Sequence, residues 1–304
     1  MLCPVYCIAA PEFKFTTKII DSNGRPIEGA AIKARFTGSN FKVERGKTDK
    51  NGIFTAKGKT TTFCNFAVSK EGYYMSGYSF ESMLLKGEAA FGRWQPWNPT
   101  IEVVMKEKKN PTPMLARNTG HMEIPAFDKP VGFDLEKGDW VAPYGQGSLK
   151  DFIFVFNISD KDANNWDEKW SCSYKLTFSN GKDGIQEYYE PENNHSEYIW
   201  PYKAPETGYK SVLTGFETMN DGHHEASYDK KRNYIFRVRT KVDDDGNIIE
   251  AHYGKIRKDI NLDLKTIRFA YYFNPTGNRN LEYDTENPML TWSRHEREHL
   301  VVEP

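Results

Sequence analysis

The chain has 304 residues with 41 basic and 42 acidic side chains, a net charge of −1, and this balance excludes the strong positive field of a nucleic-acid binder. Only 38% of residues are hydrophobic, but 14% are aromatic, enough ring bulk to fill sizeable cores and to exclude an intrinsically disordered chain. The length suits about two domains, and no run reaches the roughly 18 apolar residues of a membrane-spanning helix. Residues 1–10 are uncharged and mostly apolar, and Ile8-Ala9-Ala10-Pro11 resembles the small-residue end of a secretory signal. A complete signal also needs a basic segment and about 7–15 apolar residues. Two readings of residues 1–12 therefore stand: a truncated export signal, or an apolar N-terminus of a cytoplasmic protein.

From residue 13 the pattern turns to strands. Phe13, Phe15, Thr17 and Ile19 fall on one side of a two-residue period, which predicts a strand with one buried face. Asn23-Gly24 tolerates positive φ and Pro26 fixes φ for the exit, so the chain reverses there. Beyond it, Ile32, Ala34 and Phe36 alternate with Ala31, Lys33 and Arg35. The same grammar returns at Thr48-Asp49-Lys50-Asn51-Gly52-Ile53-Phe54, and a strand over 63–68 ends in Ser69-Lys70-Glu71-Gly72-Tyr73-Tyr74.

The order strand, D-x-x-G-x-P-I-x-G-A, strand, T-D-x-x-G-x-F, strand, K-x-G-Y resembles the carboxypeptidase regulatory-like domain, a transthyretin-like β-sandwich. The matching positions are Asp21, Gly24, Pro26, Ile27, Gly29, Ala30, Thr48, Asp49, Gly52, Phe54, Lys70, Gly72 and Tyr73. The resemblance covers residues 13–108, with 100–106 as the closing strand and a long aromatic-rich insert over 75–98 as a departure. It implies a structural or adhesive spacer, not a catalyst.

Residues 109–120, near the run KEKKNPTP, read as a linker between this sandwich and a second domain over 121–304. That domain shows alternating stretches at 152–158, 170–178, 233–242, 248–256 and 267–273, with a hairpin turn at Asp243-Asp244-Asp245-Gly246-Asn247. Helical patterning is nearly missing, so the expected fold class is all-β: a transthyretin-like or Ig-like N-terminal sandwich followed by a second, mainly β domain. The C-terminal half, from Tyr234 through Glu282, resembles uncharacterised exported bacterial proteins that carry a regulatory-like domain in front. That similarity implies export but no activity.

Candidate sites are few. Cys64 and Cys172 share strand periods with apolar neighbours and read as core thiols, while Cys3 and Cys7 fall in the leader; no zinc-knuckle spacing occurs. His295-Glu296-Arg297-Glu298-His299 satisfies H-E-x-x-H, in which helical spacing puts His295 and His299 on one zinc ion while Glu296 activates water. The few residues after it supply no third ligand. Asp221-Gly222-His223-His224-Glu225 reads as a surface loop, and Asp243 to Asp245 as a hairpin tip without the calcium-loop spacing. Glu187, Glu190, Glu192 and Glu197 offer carboxylates for glycoside hydrolysis only if two of them face across a cleft.

Loop aromatics are the remaining group. Trp94, Trp97, Trp140, Tyr144, Trp166, Tyr198, Trp200 and Tyr202 lie among Gly, Pro, Asn and Asp, where rings can be displayed to stack on sugars or partner proteins. Of these, Trp94, Trp97, Trp140 and Trp200 are the expected ligand-binding set. The leading expectation is a non-enzymatic, exported or cell-envelope structural, adhesive or binding module without a cofactor, meeting a protein or glycan partner at the cell surface and self-associating through strand edges. The alternatives are a carbohydrate-binding protein using the loop tryptophans, and a zinc-dependent hydrolase using the C-terminal histidines.

Overall fold

The computed structural model describes residues 10–37, 41–61, 63–159, 169–220, 222–289 and 304. Strand accounts for 54% of it and helix for 2%. Contacts divide the chain into two compact units: the described residues up to 109 together with 191–199, and those of 110–190 with 200 onward.

The first unit holds, among the described residues, nine strands and one short helix. They are β1 (Glu12–Ile20), β2 (Ala31–Thr37), β3 (Lys42–Lys47), β4 (Ile53–Lys59), β5 (Phe63–Ser69), β6 (Ser76–Ser79), α1 (Glu81–Lys86), β7 (Ala89–Ala90), β8 (Arg93–Trp94) and β9 (Thr100–Val104). One sheet runs β4-β1-β8-β7 with β9 parallel to β1, and the other runs β3-β2-β5-β6. The period-two expectation holds: Phe13, Phe15, Thr17 and Ile19 are buried, and so are Ile32, Ala34 and Phe36 from the facing sheet. Phe15 stacks on Phe66 at 5.3 Å between ring centroids, and Phe80 packs on Phe13 and Phe15 at 5.0 and 4.7 Å. Each such ring contributes about 1.5–3 kcal/mol by leaving water. The insert over 75–98 supplies β6, α1, β7 and β8, and residues 191–199 join it. Glu197 N donates to Met75 O, its Oε1 accepts from Met75 N, and Tyr74 stacks on Tyr198 at 4.6 Å.

Turn chemistry explains the motif residues. In the first loop Asp21 Oδ1 accepts from Asn23 N and Arg25 N; in the second, Asp49 Oδ1 accepts from Asn51 N and Ile53 N. Asp243 repeats the arrangement with Asp245 N and Asn247 N. A short carboxylate that takes two nearby backbone donors closes a tight reversal, and a left-handed glycine three residues on completes it. Three clamps then tie the separate motifs together. Thr48 Oγ1 donates to Ile27 O and accepts from Ala30 N, Lys70 Nζ donates to Glu28 O, and Gly52 sits directly under Ile19 O.

The β4 edge is guarded. On the outer side of β4, Lys57 N donates to Glu44 Oε2 and Lys57 O accepts from Lys42 Nζ, so two β3 side chains occupy backbone groups that another strand would use. Replacing both, Lys42→Val with Glu44→Val, is expected to raise concentration-dependent association, read as a higher average mass in light scattering. An unchanged monomer mass across a hundredfold concentration range would show that these side chains do not guard the edge.

The second unit contains β10 (Leu115–Asn118), β11 (Met122–Glu123), β12 (Pro130–Asp134), β13 (Asp139–Trp140), β14 (Phe152–Ile158) and β15 (Trp170–Thr177), followed by β16 (Gly184–Tyr189), β17 (Leu213–Asn220), β18 (His223–Ala226), β19 (Arg232–Val242), β20 (Ile248–Asp263) and β21 (Thr266–Asn274). One sheet runs β10-β21-β20-β19-β16 with β11 also on β21, and the other runs β13-β12-β14-β15-β17-β18. Their inner faces meet ring against ring: Phe152 on Phe236 at 5.2 Å and Phe133 on Phe269 at 5.3 Å, both edge-on. Ile267, Phe269, Tyr271 and Phe273 line one face of β21 as their spacing predicts.

Two expectations are corrected. Residues 109–120 are not a bare linker, because β10 pairs with β21 and Thr112 N donates to Glu282 O. Pro111 and Pro113 read as punctuation, yet they flank the one residue between them whose N–H this edge needs. The strand expected over 248–256 continues to Asp263 through a bulge after Arg257, with Lys258 at a left-handed φ of 64°. The polar Lys258-Asp259 step interrupts the alternation, but Asp259 is buried and accepts from Tyr234 Oη at 2.5 Å, from Asp229 N and from Ile260 N.

Candidate functional site

The four tryptophans expected to bind ligand part company. Trp140 and Trp200 are core residues: Trp140 donates its Nε1–H to Glu123 O and wedges edge-on among Phe133, Phe154 and Phe156. Trp200 stacks on Tyr188 at 5.4 Å, and the buried Lys255 ammonium lies 5.2 Å from its ring. With 4% and 2% of their surfaces exposed, neither ring can accept a ligand face. The short loop segments around them suggest display, because a core partner far along the chain leaves no local trace.

Trp94 and Trp97, by contrast, sit together beside the β7–β8 hairpin, half-buried. Trp94 is the anchor, its Nε1–H donating to Thr60 O at 2.8 Å. Trp97 is framed by cations: the Arg93 guanidinium lies 4.8 Å from its ring centroid and Lys57 Nζ 5.9 Å, a cation–π arrangement. Lys57 is also paired with Glu12 at 3.0 Å. The next residue, Asn98, adopts a left-handed φ of 58°, and its Oδ1 accepts from Thr16 Oγ1.

The hairpin tip is the feature sequence reading missed. Ala90 pairs with Arg93, leaving Phe91-Gly92 as a two-residue loop with φ of 51° and 72°. Such loops favour Asn-Gly or Gly-Gly, since a left-handed residue with a bulky side chain costs about 1–2 kcal/mol. Phe91 nevertheless stands there with its ring fully solvent-exposed. The signal available in sequence is an aromatic residue directly before a glycine, inside the aromatic-rich stretch over 75–98. Chemically, the site offers an exposed apolar ring, a half-buried indole face, and Arg93 with Lys57 as hydrogen-bond donors.

No protein-family model matches the chain, and no curated protein does. Among solved structures, a 3-chlorocatechol 1,2-dioxygenase from Rhodococcus opacus shares 9% identity over 33% of this chain and 61% of its own, with a TM-score of 0.27. A shaft pilin from Lactobacillus rhamnosus shares 11% over 82% of this chain and 93% of its own, with a TM-score of 0.21. A DUF3823 family protein from Parabacteroides merdae shares 8% over 90% of this chain and 99% of its own, also at 0.21. The chain spans about three fifths of the dioxygenase's length. Likenesses at these scores assign neither a family nor an activity.

The remaining candidates resolve as follows. His295, Glu296 and His299 lie outside the described residues, as do Trp166 and Asp221. His223 and His224 are not in a loop but on β18, paired with β17, so the two side chains leave the strand in opposite directions. His224 Nε2 donates to Glu217 Oε1 at 2.8 Å. Asp243 uses its carboxylate on its own turn, including Asn247 Nδ2, which leaves little for a calcium ion. Glu187, Glu190, Glu192 and Glu197 are exposed, and Glu197 is committed to Met75 N. Cys64 and Cys172 are buried free thiols, and burial pushes the Cys172 thiol up to about 12, so neither is a ready nucleophile. Tyr198 is a core residue, while Tyr144 and Tyr202 are half-buried.

Proposed function

We propose that the protein is a non-enzymatic binding module of the cell envelope, exported to the cell surface, that engages glycans through the β7–β8 hairpin of its first unit. The observation that carries this reading is Phe91: a large ring fully exposed at a left-handed position that backbone sterics reserve for small residues. Strain of that kind persists where the displayed group has a use. The flat indole of Trp97 and the neighbouring Arg93 fit a sugar, whose C–H face stacks on rings while its hydroxyls accept from guanidinium. The predominantly β build accords with a scaffold that presents loops.

A glycan array tests it. Binding is expected for the intact chain and is expected to fall at least tenfold in Phe91→Ala and in Trp97→Ala, with thermal midpoints kept within a few degrees because neither ring is core. Glycan binding that survives both substitutions would remove the hairpin from consideration, and no binding to any glycan would turn the search to protein partners.

A further inference from the structure

A second feature, in the second unit, is a polar pocket of about 120 Å³ lined by His121, Glu217, Asn261, Asp263, Thr266 and Arg268. Strand register assembles it. Asn261 pairs with Arg268 and Asp263 with Thr266 at the tip of the β20–β21 hairpin, with the buried Leu262–Ile267 pair between them, so the two polar pairs fall on the same face of the hairpin. Glu217 comes from β17 of the other sheet, and His121 from the turn between β10 and β11.

Glu217 is the anomaly. Its side chain is only 8% exposed, on a strand whose other inward positions are apolar. Oε1 accepts from His224 Nε2, but Oε2 is buried with no hydrogen-bond partner. An unsatisfied buried carboxylate oxygen costs about 1–3 kcal/mol or more, so a group of this kind calls for an occupant. Burial pushes the Glu217 carboxyl above the usual range, the Asp263 charge pushes the same way, and the His224 contact opposes both. Two carboxylates thus share one pocket.

Charge and geometry choose the occupant. Leaving histidine out of the count, Glu217 and Asp263 carry two negative charges and Arg268 returns one, leaving a single charge to neutralise. Among the described residues, no three His, Cys, Asp or Glu side chains converge closely enough to hold a metal ion. A group with one positive charge and several N–H donors satisfies both conditions, and the volume holds such a head with one or two carbons, roughly that of four waters. We propose that this pocket binds a primary ammonium group, one N–H meeting the Glu217 carboxylate and the others Asp263 and the Asn261 or Thr266 oxygens.

The test follows the imidazole ring protons of His121 and His224 by NMR at constant ionic strength. Methylammonium is expected to shift them saturably, while tetramethylammonium, which has the charge but no N–H, leaves them in place. Glucosamine and N-acetyl-lysine amide then distinguish an amino sugar from a lysine side chain as the source of the ammonium. Glu217→Gln is expected to weaken methylammonium at least tenfold and Asp263→Asn several-fold, whereas Arg268→Ala, which removes a competing cation, tightens it. Should Glu217→Gln fail to fold, the half-buried Asp263 provides the independent variant. An equal response to tetramethylammonium, a response to calcium chloride or sodium phosphate where methylammonium is silent, or weaker methylammonium binding in Arg268→Ala would each overturn the proposal.

Discussion

Replacing Gly52 with alanine is expected to destabilise the first unit by about 3 kcal/mol or more, while the same change at Gly24 costs only about 1 kcal/mol. The two positions are matched in backbone, with φ of 75° and 78°. They differ in space: a Cβ at Gly24 meets nothing within 4 Å, whereas one at Gly52 stands 2.3 Å from Ile19 O. Left-handed backbone alone costs an L-residue about 1–2 kcal/mol, and this applies equally to both. At Gly52 the carbonyl must also move, and it is not free to do so. Ile19 O accepts from Ile27 N, and Ile19 N donates to Gly52 O, so the shift pulls on the loop that Thr48 and Lys70 clamp. Losing a buried backbone hydrogen bond adds about 1–3 kcal/mol. Urea unfolding gives the totals, and hydrogen exchange places the loss in the first unit, with Gly72→Ala, also without near neighbours, as a second control. Equal losses at all three glycines would mean that only φ matters and that the contact between the motifs contributes nothing.

That pair of positions also shows what sequence can and cannot convey. A glycine in a D-x-x-G turn is legible as a left-handed residue, because the requirement is local. Which carbonyl lies above it is not, since Ile19 and Gly52 meet only after β1 and β4 have paired. The same division runs through the molecule. Strands 152–158, 170–177 and 266–274 are legible because period-two alternation is written along the chain; β12 and β17 are not, for Gly132 and Gly215 interrupt them, nor is β16, which opens on Gly184 and carries only one apolar residue, Ile185, before its closing tyrosines. Trp200 was misread because its partners, Tyr188 and Lys255, come from different strands. Glu217 passed unnoticed for a related reason: a lone glutamate between Phe216 and Thr218 looks solvated until the sheet register turns it inward. Burial of charge is a tertiary fact, and the chain announces it only when a pairing residue is near in sequence.

Arg239→Met is expected to cost the second unit about 3–5 kcal/mol, the loss typical when one partner of a buried ion pair is removed. Arg239 sits in the bulge of β19 at φ of 56°, with its backbone N–H held by Asp183 Oδ2. Its Nε donates to Asp151 Oδ1 at 2.8 Å and its Nη2 to Oδ2 at 2.9 Å, a two-pronged pairing, while Nη1 reaches Glu136 at 2.9 Å. Asp134 lies 3.7 Å away, and the guanidinium plane rests 5.0 Å from the Phe273 ring centroid. Asp151 and Asp134 are 3% and 1% exposed, so without the guanidinium two carboxylates remain in a low-dielectric site beside each other. They also organise the loop around them: Asp151 Oδ2 accepts from Leu135 N, and Asp134 accepts from Glu136, Lys137, Ser148 and Leu149 N. The diagnostic result is a reversal of sign. Asp151→Asn in the Arg239→Met background keeps an acceptor for Leu135 N and removes the uncompensated charge, so the double variant is expected to be more stable than Arg239→Met alone by about 1–2 kcal/mol. Thermal or urea unfolding of the four species completes the cycle. A double variant that loses the sum of both single losses would show that Arg239 acts through packing on Phe273 and not through the charge it neutralises.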